Sequence, residues 1–183
     1  MRSSCSAAPT PIARGWDASS IVNRAGYYVG HATAADGDVG HADRAAVHLA
    51  DERPLTAADL MSAKLSMPPR IAMVACASGG DYQFDEATGL VAAMILGGAQ
   101  LVTATLWSLP TAAGYRQFAP AAGDHDPMAE VIIAVDHAHE AADAGSAVNH
   151  WQRVQMRRWR GGDTGASPLY WAALATFAVD GVR

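Results

Sequence analysis

Residues 70–107 read RIAMVACASGGDYQFDEATGLVAAMILGGAQLVTATLW, and they carry the plainest fold signal in the chain. Arg70 to Ala75 is apolar on both faces, the pattern of a central strand buried under helices on either side. It ends at Cys76 and runs directly into the small, polar Ala77-Ser78-Gly79-Gly80-Asp81. Asp85 is suited to cap a helix whose apolar positions Leu90, Val91, Met94 and Ile95 share one face, and Gly97-Gly98 stop it. Gln100 to Leu106 is a second buried strand. Strand, helix and strand in that order imply a right-handed crossover and two parallel neighbours in one sheet. The chain is expected to be α/β.

Upstream, Ala25 to Gly30 is a short β-prone run that ends at His31. A Gly- and Asp-rich stretch follows to Asp43, then a hairpin-like piece around Ala46–Leu49. Thr56 and Asp59, three apart, read as a capping box that starts a helix, and Pro68-Pro69 break the chain. Downstream, Asp126-Pro127 open a helix expected to run through Asp143 with Gly145 at its end. Ser146 is expected to cap a second helix carrying Val148, Trp151 and Val154. A Gly-rich loop over 161–167 leads to the apolar segment Leu169–Val179. Residues 1–15 read as a disordered leader, 16–25 as a short helix begun by Asp17 or a serine, and 16–183 as one domain.

The totals set bounds on function. At 183 residues, half of them hydrophobic, the chain has material for one core. A net charge of −5 argues against a surface built for nucleic acid or anionic lipid. The opening MRSSCSAAPTPIARG holds no apolar run of signal-peptide length, and Gly89–Leu96 is far too short to span a bilayer. A cytoplasmic protein with no membrane partner is expected. Abundant Ala, with Arg in place of Lys (Lys64 is the single lysine), fits a GC-rich bacterial genome.

Two cysteines, Cys5 and Cys76, make no disulfide framework, so Cys76 needs its own explanation. Three weaker patterns are read as structural. Arg153, Arg157, Arg158 and Arg160 form a solvated helix face with Trp151 and Trp159 packing inward, not a nucleic-acid patch. His137 and His139, two apart on a helix, diverge and cannot chelate one metal ion. Ser78-Gly79-Gly80-Asp81 lacks the Gly-Lys-Ser/Thr ending of a phosphate loop. No metal and no organic cofactor is expected.

His31 and Cys76 each close a strand, where open parallel sheets gather their reactive groups. A thiol attacks a carbonyl as thiolate, and a nearby imidazole supplies the base or the stabilising cation. Backbone N–H groups around Cys76–Gly79 are placed to receive an oxyanion. By itself, however, a cysteine after a buried strand is more often a small hydrophobe, and a lone histidine a structural one.

The ordered series of motifs around the pair is more specific. Tyr27-Tyr28-Val29-Gly30-His31 is followed by Val47-His48-Leu49-Ala50-Asp51 and Leu55-Thr56. Next come Met73-Val74-Ala75-Cys76-Ala77-Ser78-Gly79, then Asp85-Glu86 with Gly89-Leu90, and Gly97-Gly98-Ala99. Thr105-Leu106-Trp107 and Pro168-Leu169-Tyr170-Trp171-Ala172 complete the series. From about Ser20 to Val179 the chain resembles the C-terminal half of CHAT domains, a caspase-like family of clan CD cysteine peptidases. The resemblance implies a caspase-like three-layer sandwich with a mainly parallel sheet, here apparently without the N-terminal strands of a full domain. It also implies His31 as base and Cys76 as nucleophile, with a thioacyl intermediate on Cys76. Ala32, Ser78, Gly79 and Trp107 then line the oxyanion and substrate pocket.

The sequence departs from the family pattern at several of these positions. Ala32 stands where the family has glycine after the histidine, and Ala77-Ser78 where it has Glu-Thr, with Gly79 retained. Ser108-Leu109-Pro110-Thr111 replaces the aspartates that follow the tryptophan, which makes any pocket there less acidic. The expected function is a partner-regulated cysteine endopeptidase acting on a protein or peptide. Its alternative is an inactive interaction module that keeps the fold, and a small hydrolase of non-peptide esters is a distant third. A partner chain or second copy is expected to cover the incomplete sheet.

Overall fold

The computed structural model describes residues 25–33, 44–49, 54–75, 89–118 and 125–179. Its centre is the stretch quoted above. β4 (Arg70–Ala75) is buried from Ile71 onward, with Ile71 and Met73 on one face and Ala72 and Val74 on the other. β5 (Leu101–Thr105) is buried throughout and pairs parallel with β4, from Arg70↔Leu101 to Met73↔Ala104. β1 (Ala25–Thr33) pairs parallel with the other side of β4, from Ala25↔Arg70 to Gly30↔Ala75.

Short strands complete the sheet. β2 (Ala46–His48) runs antiparallel to β1, and β3 (Pro54–Thr56) antiparallel to β2. β6 (Leu174–Ala178) runs antiparallel to β5. The order is β3-β2-β1-β4-β5-β6, with four of the six strands pointing the same way. The expected α/β sandwich with a mainly parallel sheet is what the structure shows.

Helices cover both faces. On one side α1 (Ala57–Ala63) and α2 (Gly89–Leu96) close over Ile71, Met73, Val102 and Ala104. On the other, α4 (Pro127–Glu140) and α5 (Ala144–Arg160) pack Val131, Val135 and Val148 onto Ala72 and Val74. α3 (Ala112–Phe118) and α6 (Pro168–Trp171) fill this second layer with Tyr115 and Tyr170. Among the described residues no helix is long and apolar enough to cross a membrane.

Local chemistry sets several boundaries as read. Thr56 caps α1 in a capping box: Asp59 N donates to Thr56 Oγ1 at 3.0 Å, and Thr56 N donates to Asp59 Oδ2 at 3.0 Å. α2 stops at the two glycines. Ala99 N donates to Met94 O and Gly98 N to Ile95 O, both at 3.0 Å, with Gly98 at φ +108°, the arrangement that ends helices in a left-handed residue. Gly97 is needed for another reason, since a Cβ there would stand 2.7 Å from Met67 Cγ.

Two expectations are corrected. The helix begun at Asp126 ends at Glu140, not Asp143, because Arg70 reaches over from β4. Its guanidinium donates to the carbonyls of His139 (2.7 Å), Ala141 (2.5 Å) and Ala142 (2.7 Å), satisfying groups that a helix end leaves bare. Asp143, not Ser146, caps α5, its carboxylate accepting from Ser146 N at 2.9 Å and Ser146 Oγ at 2.8 Å. Gly145 consequently lies inside α5. The leader, residues 16–24 of the expected helix and the Asp85 cap lie outside the described residues, and Ala25, expected as that helix's last residue, instead begins β1.

Candidate functional site

The parallel strands β1, β4 and β5 deliver their carboxyl ends to one edge of the sheet. Ala75 ends β4 and Trp107 lies two residues past β5. His31, expected to close its strand, is corrected to a position two residues before the end of β1, which pairing with β2 carries on to Thr33. Cys76, Ser78 and Gly79 lie outside the described residues, and β4 is described up to Ala75, the residue before the cysteine. What the structure details is the frame around them.

At the end of β1 the strand changes partner. Ala25–Gly30 pair with β4, whereas His31–Thr33 pair with β2, with His31 opposite His48. Tyr28 spans the change: its Oη lies 2.8 Å from His31 O and 2.7 Å from His48 O. His31 is exposed, and by strand alternation its side chain follows Val29 toward the α4 layer, while Tyr28 packs with the α1 and α2 layer. Thr33 Oγ1 lies 3.3 Å from His48 Nε2, which brings a second imidazole to the same hairpin.

At the end of β4, the hydroxyl of Thr105 on β5 donates to the carbonyl of Ala75. This buried bond pins the main chain immediately before Cys76. Trp107, half-buried just past β5, donates from Nε1 to Leu169 O at 2.8 Å. Tyr170 Oη donates to Pro110 O at 3.0 Å, and Trp171 Nε1 to Ala166 O at 2.9 Å. The segment Pro168–Ala172 thus braces the chain that follows β5. Burial, then Tyr115 and Asp126, push the Tyr170 phenol up to about 12, so it remains a donor.

Ala32 has its side chain buried among the residues under α1 and α2, and it pairs with Val47. Among the described residues Lys64 is the one non-glycine at positive φ, so alanine at position 32 carries no backbone strain. Among the described residues there is no group of three or more His, Cys, Asp or Glu side chains able to hold a metal ion. His137 is exposed and His139 buried, diverging as their spacing requires. Trp151 packs inward as read, but Trp159 is 43% exposed, a correction. Arg158 is held by Asp163 at 2.9 Å and faces Glu130 at 3.6 Å.

A family model described as the CHAT domain matches residues 26–179. The chain belongs to the CHAT domain family. The match runs from β1 through β6 and takes in every helix described above. CHAT domains fall within the caspase-like peptidase clan. A comparison with curated proteins finds no match. In this CHAT domain, Tyr28, His48 and Thr105 border the candidate site, and the sequence marked none of them for that place. Tyr28 stood inside a quoted motif, but its contact depends on strand pairing that no local pattern encodes.

Proposed function

We propose that the chain is a cysteine-type endopeptidase in which His31 is the base and Cys76 the nucleophile. One observation carries the reading. Gly30↔Ala75 is the last pair between the parallel strands β1 and β4, and His31 and Cys76 are the next residues of each. Adjacent strands run ~4.8 Å apart, a spacing at which an imidazole and a thiol on one face come within reach. Val29 and Val74, each two residues before the pair, both pack toward the α4 layer, so alternation favours a common face.

In the proposed reaction His31 takes the thiol proton and Cys76 Sγ attacks the scissile carbonyl carbon. Main-chain N–H groups near Ala32, Ser78 and Gly79 receive the oxyanion. The C–N bond then breaks as His31 returns the proton to the leaving amine, leaving a thioester on Cys76. Water, deprotonated by His31, hydrolyses it. Trp107 lines the substrate pocket, and no metal or organic cofactor enters any step. The proposed compartment is the cytoplasm, where the thiol stays reduced. A protein partner is the proposed regulator: among the described residues no strand pairs with Ala25–Gly30 on the side away from β4.

Reaction with a peptidyl electrophile, mapped by mass spectrometry, tests the assignment. Labelling is expected at Cys76 and not at Cys5. Cys76→Ala should abolish it together with any peptide cleavage, and His31→Ala should lower it at least ~10-fold near neutral pH. Labelling of Cys76 indifferent to His31 would instead favour an inactive module that keeps the CHAT fold.

A further inference from the structure

β1 changes partner at the residue proposed as the base. Up to Gly30 it is held by β4, and from His31 onward by β2. At such a junction neither ladder fixes the main chain from both sides. The Tyr28 side chain folds back over Gly30 and sets its hydroxyl between the carbonyls of the register partners His31 and His48, at 2.8 and 2.7 Å. One phenol proton is shared between the two carbonyls. Glycine at position 30 makes room for this, since a Cβ would stand 2.7 Å from the Tyr28 Oη and 2.9 Å from its Cζ. Burial raises the phenol above its ordinary pKa, so it is a donor throughout the working range.

We infer that Tyr28 is a positioning residue for His31, acting on the His31 main chain from the opposite face of the sheet. The role rests on the reading of His31 and Cys76 as base and nucleophile. Because side chains alternate along β1, the Tyr28 ring and the imidazole project to opposite faces, and the phenol reaches the base through its carbonyl alone. Clamping that carbonyl sets the direction of the His31 Cα–Cβ bond. It thereby sets where the imidazole stands relative to the end of β4. Tyr28-Val29-Gly30-His31 is thus one unit: a clamp, a strand position, a gap for the clamp, and the clamped residue.

The test is the pH profile of Cys76 alkylation by iodoacetamide on the full chain, from about pH 5 to about 9, beside thermal melting. In the wild type alkylation should persist well below the ordinary thiol range. Tyr28→Phe keeps the ring but removes the phenol donor from both carbonyls. It should slow alkylation roughly 10-fold near pH 6.5 and move the profile up toward an ordinary thiol, with rates converging at the alkaline end. Loss of fold stability alone does not move that midpoint. Gly30→Ala displaces the ring while retaining the phenol, and it should reproduce the shift; it also serves if Tyr28→Phe melts below the assay temperature.

His31→Ala separates the two claims. If it shifts the profile and neither Tyr28→Phe nor Gly30→Ala does, the positioning role is wrong and the dyad stands. If His31→Ala leaves the profile unchanged, the dyad is wrong and the role falls with it. Among the described residues the other imidazole at the junction is His48, so the Tyr28→Phe shift should persist in a His48→Gln background. A shift that disappears there belongs to His48 and overturns the proposal.

Discussion

On the last turn of α4, His139 is 3% exposed, with Nε2 2.9 Å from Thr103 Oγ1 and Nδ1 without a partner among the described residues. The Tyr27 ring lies 5.8 Å away and the Arg70 guanidinium caps the same helix end. Burial first, and the Arg70 charge second, lower the imidazole from 6.5 to about 4, against the weaker pull of Asp136. Unfolding restores the ordinary value, so between pH 6.5 and about 4 the unfolded chain binds a proton that the native chain refuses. Stability from this group is complete above pH 6.5 and is lost as the pH falls through that window, by about 3 kcal/mol in total. Urea unfolding of wild type and His139→Gln at pH 7 and pH 4.5 should show a smaller acid loss in the variant. Equal losses would refute the account. The divergence of His137 and His139 was legible from helix geometry. That His139 is the buried one was not, because it depends on which face of α4 meets β4 and β5.

At the scale of elements, what could be read was what neighbours in sequence decide. The seven-residue α1 is too short to persist on its own, so it relies on its cap and on the burial of Ala57 and Leu60. Thr56→Ala removes the capping hydroxyl and should cost about 1 kcal/mol, read as a lower urea midpoint with an unchanged slope, while Thr56→Ser recovers most of it. The capping box spans four residues and the glycine stop of α2 spans two, which is why both were legible. The break between α4 and α5 was not, because Arg70 supplies it from a strand some seventy residues earlier. The C-terminal apolar segment shows the same limit. Its content was plain, but its division into α6 and an antiparallel β6 follows from docking on β5 and from the anchoring of Tyr170 and Trp171.

Over the whole molecule, β4 and β5 are flanked by strands on both sides and covered on both faces, so their amides should exchange last in native-state hydrogen exchange. The three-residue β2 and β3 should exchange first among the strands, ahead of β6. Fast exchange in β4 would contradict the layered arrangement. The parallel strand–helix–strand core, the capping box, the family, and the positions in which catalytic chemistry is to be sought are all written in the amino-acid order. Those signals are periodicity, short spacings and ordered motifs, all carried by residues near one another in the chain. Folding in three dimensions was needed to show that Arg70 ends α4, that Thr105 pins the carbonyl before Cys76, and that the Tyr28 hydroxyl joins the His31 and His48 carbonyls. Each depends on strand register and helix packing, which bring together groups that no local pattern relates.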